Sequence, residues 1–205
     1  MYKEERFNSV THMIGAAAAI AGTAALIVAG ARQGDPWKVA SFSVYGASLI
    51  SLYLFSTLYH SLRSRGKGIF RKFDHLGIYI LIAGTYTPFT LITLRGPWGW
   101  WMFGLIWGLA VLGIVVELSG RKKRRILPMA IYLVMGWLIV IALKPLLLHL
   151  GMMGFIWLLA GGLFYTSGLI FYAKGKKVAY FHGVWHVFVI AGSLCHYVAI
   201  FRHVA

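Results

Sequence analysis

The feature that most constrains this chain is a succession of apolar blocks, each about 20 residues long, separated by short breaks rich in Lys, Arg, Gly and Pro. A helix of about 20 residues, rising 1.5 Å per residue, spans the ~30 Å hydrocarbon layer of a bilayer. The blocks read as membrane-crossing helices near residues 9–31, 38–62, 74–95, 98–119, 126–145, 150–172 and 180–202. Composition agrees, because 60% of the residues are hydrophobic and only 12% are charged, too few charges to cover a water-facing surface. The expected architecture is all-α: a seven-transmembrane helix bundle forming a single domain over residues 1–205. Its short connections make consecutive helices antiparallel neighbours.

Net charge is +15, but the basic residues sit in the connections and not on a soluble module. Topology and anionic headgroups account for them, and nucleic acid is not an expected partner. In an alternating arrangement one side carries fifteen Lys and Arg, among them Lys3, Arg63, Lys67, Arg71 and Arg121 to Arg125. The other carries five: Arg32, Lys38, Arg95, Lys144 and Arg202. Cytosolic loops are the basic ones, so the N-terminus is expected in the cytosol and the C-terminus outside. Trp37, Trp98, Trp100 and Trp101 would then mark the outer interface. The first block, preceded by Lys3 and Arg6 and ending in Ala29-Gly30-Ala31, has some features of a signal peptide, but it is long for one and is expected to remain as a span. The single cysteine, Cys195, excludes an intrachain disulfide and a thiolate-built zinc site.

Ionisable groups inside a membrane are costly, so their positions are informative. His182 and His186 are four residues apart at the beginning of the seventh block and share a helix face, which lets two imidazoles converge on one ion. The alternative is a pair of bundle-facing histidines hydrogen-bonded across helices. Ser56 and His60 share a face at the end of the second block, and Asp74-His75 opens the third. Alternation of spans brings His60, Asp74, His182 and His186 to nearly one depth on the cytosolic side. Three histidines from two helices suit zinc with a fourth position open to water, and Asp74 could hold that water or exchange its proton. Ser56 could orient the water or donate to a developing oxyanion. The competing reading of Asp74 is an ion pair with Arg71 or Lys72 at a helix start.

Other candidates carry less. His12, with Asn8 and Ser9, starts a helix on the same side and is expected to cap and hydrogen-bond locally rather than border the site. His75 points about 100° from Asp74 on an ideal helix and is not an expected ligand. His196 lies about 15 Å beyond His186 along its helix and is expected to hydrogen-bond in the core. Glu117 is expected to pair with the Arg121 to Arg125 cluster, Pro88 and Pro145 to kink or end helices, and His149 and His203 to lie in outer loops.

The ordered set Glu5, Asn8, Ser9, His12, then Ser56-x-x-x-His60, then Phe73-Asp74-His75-x-Gly77-Ile78-Tyr79, then His182-x-x-x-His186 resembles the bacterial hemolysin III family, which belongs with the progestin and adipoQ receptors. The likeness covers nearly the whole chain. It implies a zinc ion on His60, His182 and His186 near the cytosolic side of a bacterial inner (plasma) membrane, with Asp74 and Ser56 around its water. It also implies kinship with adiponectin receptors and, more distantly, with alkaline ceramidases, linked to amide hydrolysis of ceramide. The bacterial branch, named for haemolysis, has been connected with membrane lipid homeostasis. The long cytosolic N-terminal region of the receptors is not found ahead of the first block, so a hormone-receptor role is not carried over.

Three functions follow as expectations. The first is a zinc-dependent intramembrane hydrolase of a lipid amide or ester, with membrane lipids as partners and a lipid-like substrate. The second is a non-enzymatic membrane sensor or homeostasis protein in which zinc pins helices. The third is a pore-forming hemolysin, disfavoured because the spans lack a polar stripe long enough to line an aqueous channel. Oligomeric state is not readable from the residues.

Overall fold

A computed structural model of the chain describes residues 3–63, 65–119, 126–175 and 177–205. Among these residues the chain is helical, with α1 Lys3–Arg32, α2 Pro36–Ser61, α3 Arg65–Pro88, α4 Pro97–Leu118, α5 Ile126–Trp137, α6 Leu143–Lys174 and α7 Phe181–His203. A π-helical segment, Phe89–Thr93, extends α3, and a 3-10 segment, Leu138–Ala142, joins α5 to α6. Among the described residues six helical runs are long and apolar enough to cross a bilayer: five of 22 to 29 residues and one, Leu127–Lys174, of 48. The chain is a multi-pass integral membrane protein.

The 48-residue run differs from the expected pair of spans separated by a non-helical Lys144 to Gly151. Pro145 falls in the first turn of α6, where a missing N–H forfeits no helical bond. The run is broken only at the last residue of that stretch, Gly151, whose φ of 74° and ψ of 165° are open essentially to glycine alone. Pro88 does mark a change of geometry: beyond it the ladder widens, with Leu94 N–H donating to Phe89 O at 2.8 Å.

Two helices also start earlier than expected. α1 begins at Lys3 and α3 at Arg65, because the basic residues that flank the apolar blocks continue the helix out of the hydrocarbon. Asp74 therefore lies more than two turns inside α3 and not at its N-terminal dipole. α2 starts where expected, its Asp35 carboxylate accepting from the N–H groups of Trp37 (2.9 Å) and Lys38 (3.4 Å) with Pro36 in the first turn.

α1 packs along α2, α2 along α3 and α6 along α7, while α1 also meets α7. Small residues permit this closeness, as they do where helices meet without a hydrophobic driving force. A Cβ on Gly15 would stand 2.9 Å from the Tyr53 ring, and one on Gly183 would stand 2.9 Å from Asn8 Oδ1 and collide with Phe7. Gly183 thus lets the first turns of α1 lie against the start of α7, which builds the site below. Leu148, Met152 and Ile14 are among the most exposed apolar side chains, at 74%, 63% and 62%, as lipid-facing positions require. Trp37 meets Trp100 edge-on at 5.7 Å and Trp98 meets Trp101 at 5.9 Å, gathering the four tryptophans toward one end of the bundle.

Candidate metal centre

His60 stands in the last turn of α2, while His182 and His186 occupy successive turns at the start of α7. Their ligand-capable nitrogens lie within 4.8 Å of one another, and His182 Nε2 is 3.3 Å from His60 Nε2. Nitrogens held about 2.0–2.1 Å from a tetrahedral zinc are roughly 3.3–3.4 Å apart. The ring centroids form a nearly equilateral triangle of 5.1, 4.9 and 4.8 Å. His60 and His186 are buried and His182 half-buried. Three imidazoles without a thiolate suit a metal that favours nitrogen donors, such as zinc, copper, iron or nickel.

The outer nitrogens of two of these rings are engaged so as to turn Nε2 inward. His60 Nδ1 lies 2.5 Å from Glu5 Oε2, and the other oxygen of Glu5 accepts from Lys67 Nζ at 2.6 Å. His186 Nδ1 donates to the backbone carbonyl of Asn8 at 3.1 Å. A carboxylate on one histidine and a carbonyl on another are the supports that fix tautomer and ring orientation in metal sites. Both come from the first turns of α1, so three helices build the centre.

A cavity runs from this centre into the bundle. Ser56, Asp74, His12, His182 and His186 line its metal end, and Thr166 and His196 line it further in. Between them the wall is mainly apolar, with Leu52, Ile78, Ile82, Leu133, Leu169 and Val189. The Asp74 carboxyl approaches Ser56 Oγ, which is buried and closes no regular hydrogen bond. Among the described ion pairs Asp74 has none with Arg71 or Lys72. A mainly apolar wall with a few polar groups gathered at one end is the usual make-up of a small-molecule site.

The structure therefore gathers His60, His182 and His186, and places Asp74 and Ser56 on the cavity beside them. His12, His149 and His203 behave otherwise than expected, His203 closing α7 and not lying in a loop. His12 does not hydrogen-bond locally: its ring stacks on His186 at 3.7 Å and 14°, and neither nitrogen has a hydrogen-bond partner among the described residues. Glu117 accepts from His75 Nδ1 at 2.9 Å, tying α4 to α3, while the Arg121 to Arg125 cluster lies outside the described residues. His149 is exposed but helical, its Nδ1 donating to Pro145 O at 2.8 Å. His196 does bond within the core, Nε2 donating to Leu158 O at 3.1 Å. Sequence reasoning named Glu5 and Asn8 without giving them a role, and the four- and three-residue spacings Asn8–His12 and Glu5–Asn8, which put all three on one helix face, were the available signal.

Residues 1–197 match the family described as Haemolysin-III related. The chain is 43% identical over 203 residues to Hemolysin-3 of Bacillus cereus, covering 98% of this chain and 92% of that protein. It is 44% identical over 192 residues to the Hemolysin-3 homolog of Bacillus subtilis (strain 168), covering 93% and 90%. A more distant likeness, 28% over 209 residues covering 98% and 84%, is to the human Monocyte to macrophage differentiation factor.

Proposed function

The chain belongs to the haemolysin III-related family, and from that premise we propose that it is a zinc-dependent membrane hydrolase cleaving the amide or ester bond of a lipid that enters its cavity from the bilayer. The observation that carries this reading is the convergence of His60, His182 and His186 at the end of a mainly apolar cavity that also holds Asp74 and Ser56.

His60, His182 and His186 would hold the metal, with Nδ1 of His60 and of His186 already engaged by Glu5 and the Asn8 carbonyl and their Nε2 atoms left for it. Zinc, when bound, supplies Lewis acidity toward a carbonyl and makes water acidic enough to attack near neutral pH. Asp74 holds the attacking water and takes its proton, then returns it to the leaving nitrogen or oxygen. Ser56 Oγ donates to the carbonyl oxygen as negative charge develops there. The apolar wall orients the acyl chain and excludes bulk water. In this reading Leu127–Lys174 crosses the bilayer twice, turning at Gly151, which gives seven spans, a cytosolic N-terminus and a site near the cytosolic face.

A second reading, a sensor in which zinc only pins helices, is favoured by one observation: α1, α2 and α7 all contribute to the histidine cluster or its supports. Lipid mass spectrometry on membranes incubated with zinc-loaded wild type and with His186→Ala separates the two. The hydrolase reading expects a lipid consumed, and a free fatty acid released, only by wild type. Equal lipid profiles from two folded proteins would sink it.

A further inference from the structure

His12 is a buried imidazole that neither the zinc ligands nor their supports employ. It is 3% exposed and lines the cavity beside Asp74, Ser56 and His186, yet both of its ring nitrogens lack a hydrogen-bond partner among the described residues. A neutral imidazole carries a proton on one nitrogen and a lone pair on the other, so His12 brings a donor and an acceptor to the cavity wall, where neither closes a hydrogen bond of regular geometry and the His186 backbone is the one protein group within reach among the described residues. Tyr45 and Tyr79 also carry buried hydroxyls that close no regular hydrogen bond among the described residues, but His12 differs in lining the cavity, where an occupant can reach it.

Geometry limits what the ring can do. His12 stacks on His186 at 3.7 Å with planes 14° apart, and the Tyr53 ring meets it edge-on at 5.1 Å. Two nearly parallel imidazoles aim their lone pairs in parallel planes and cannot converge on one ion, so His12 is not a fourth ligand. The stack and Tyr53 hold the ring still, and its position on the cavity wall leaves the cavity's occupant as the source of its missing partner.

We propose that His12 is a substrate-binding residue that donates a hydrogen bond from its ring N–H to the carbonyl, amide or ester oxygen of the lipid held in the cavity, at the metal end. This rests on the lipid reading above and extends it: recognition is of a polar linkage next to an apolar chain, and not of the chain alone.

The test is the binding step, read by rapid mixing before turnover, using zinc-loaded full-length protein in nanodiscs, a long-chain N-acyl amide as probe and an alkane of equal length as control. His12→Phe keeps an aromatic ring for the stack and removes the donor, and His12→Asn restores a donor without the stack. The expected result is that His12→Phe retains one zinc per chain, binds the amide about tenfold more weakly, as loss of one hydrogen bond predicts, and binds the alkane as wild type does, while His12→Asn recovers part of the amide affinity. Equal amide affinity in wild type and His12→Phe, or equal losses for amide and alkane, would overturn the proposal and leave the hydrolase reading standing. Loss of zinc from His12→Phe would assign the ring to supporting His186 and also overturn it. Failure of the wild type to bind the amide at all would overturn both readings.

Discussion

Glu5 Oε2 lies 2.5 Å from His60 Nδ1 while Glu5 Oε1 accepts from Lys67 Nζ at 2.6 Å, so one carboxylate near the start of α1 links the end of α2 to the beginning of α3. Lys67 is about one-third exposed and His60 nearly fully buried, which places Glu5 at the boundary between the exposed rim of the bundle and the histidine cluster.

Removing this support should weaken the metal more than the fold. Glu5→Ala is expected to lose 10- to 100-fold in zinc affinity, the usual cost of deleting an outer partner of a ligating histidine. Competition with a chelator of known affinity measures it. A variant that holds zinc as tightly as wild type would show that Glu5 is a surface bridge to Lys67, worth little.

Gly183 controls the other support. A side chain there runs into Phe7 and approaches Asn8, the residue whose carbonyl holds His186. Gly183→Val should push α1 from α7 and destabilise the protein by about 1–3 kcal/mol, the range for overpacking a tight contact. Zinc affinity should fall with it. Thermal unfolding in detergent with and without zinc reads both effects, and an unchanged midpoint would contradict the packing described here.

The break at Gly151 can be located from outside the cell. With Cys195 replaced by Ser, a cysteine at His149 or Met152 should react with a membrane-impermeant thiol reagent on intact cells, while one at Lys67 or Lys174 should react only after lysis. Reaction of all four from the same side would refute the double crossing of Leu127–Lys174.

How much of this could be seen beforehand depends on the range of the interaction involved. Ser56 with His60 and His182 with His186 are four apart and share helix faces by local geometry, and alternation of the spans brings the two pairs to one level. Glu5 and His60 are 55 positions apart, and His75 and Glu117 are 42 apart, so no periodicity links them. The stacking of His12 on His186 depends on the close approach of α1 to α7, set by Gly183, and not on anything within α1. The expected break from Lys144 to Gly151 narrows to its last residue because proline at a helix start and proline at a helix end look alike in a sequence. The decisive feature, a positive φ at Gly151, is one conformation among several that a glycine can adopt.

The most direct test of the account is a joint measurement of bound zinc and released fatty acid for wild type and Asp74→Asn, purified identically and supplied with the same lipid amides and esters. Asp74 lines the cavity beside the histidines without being one of the three clustered ligands. The predicted result is one zinc per chain in both proteins, fatty acid released by the wild type, and a rate reduced at least 100-fold in Asp74→Asn, the low end of what a general base contributes. Undiminished release by Asp74→Asn, or no release by a fully zinc-loaded wild type, would contradict the account.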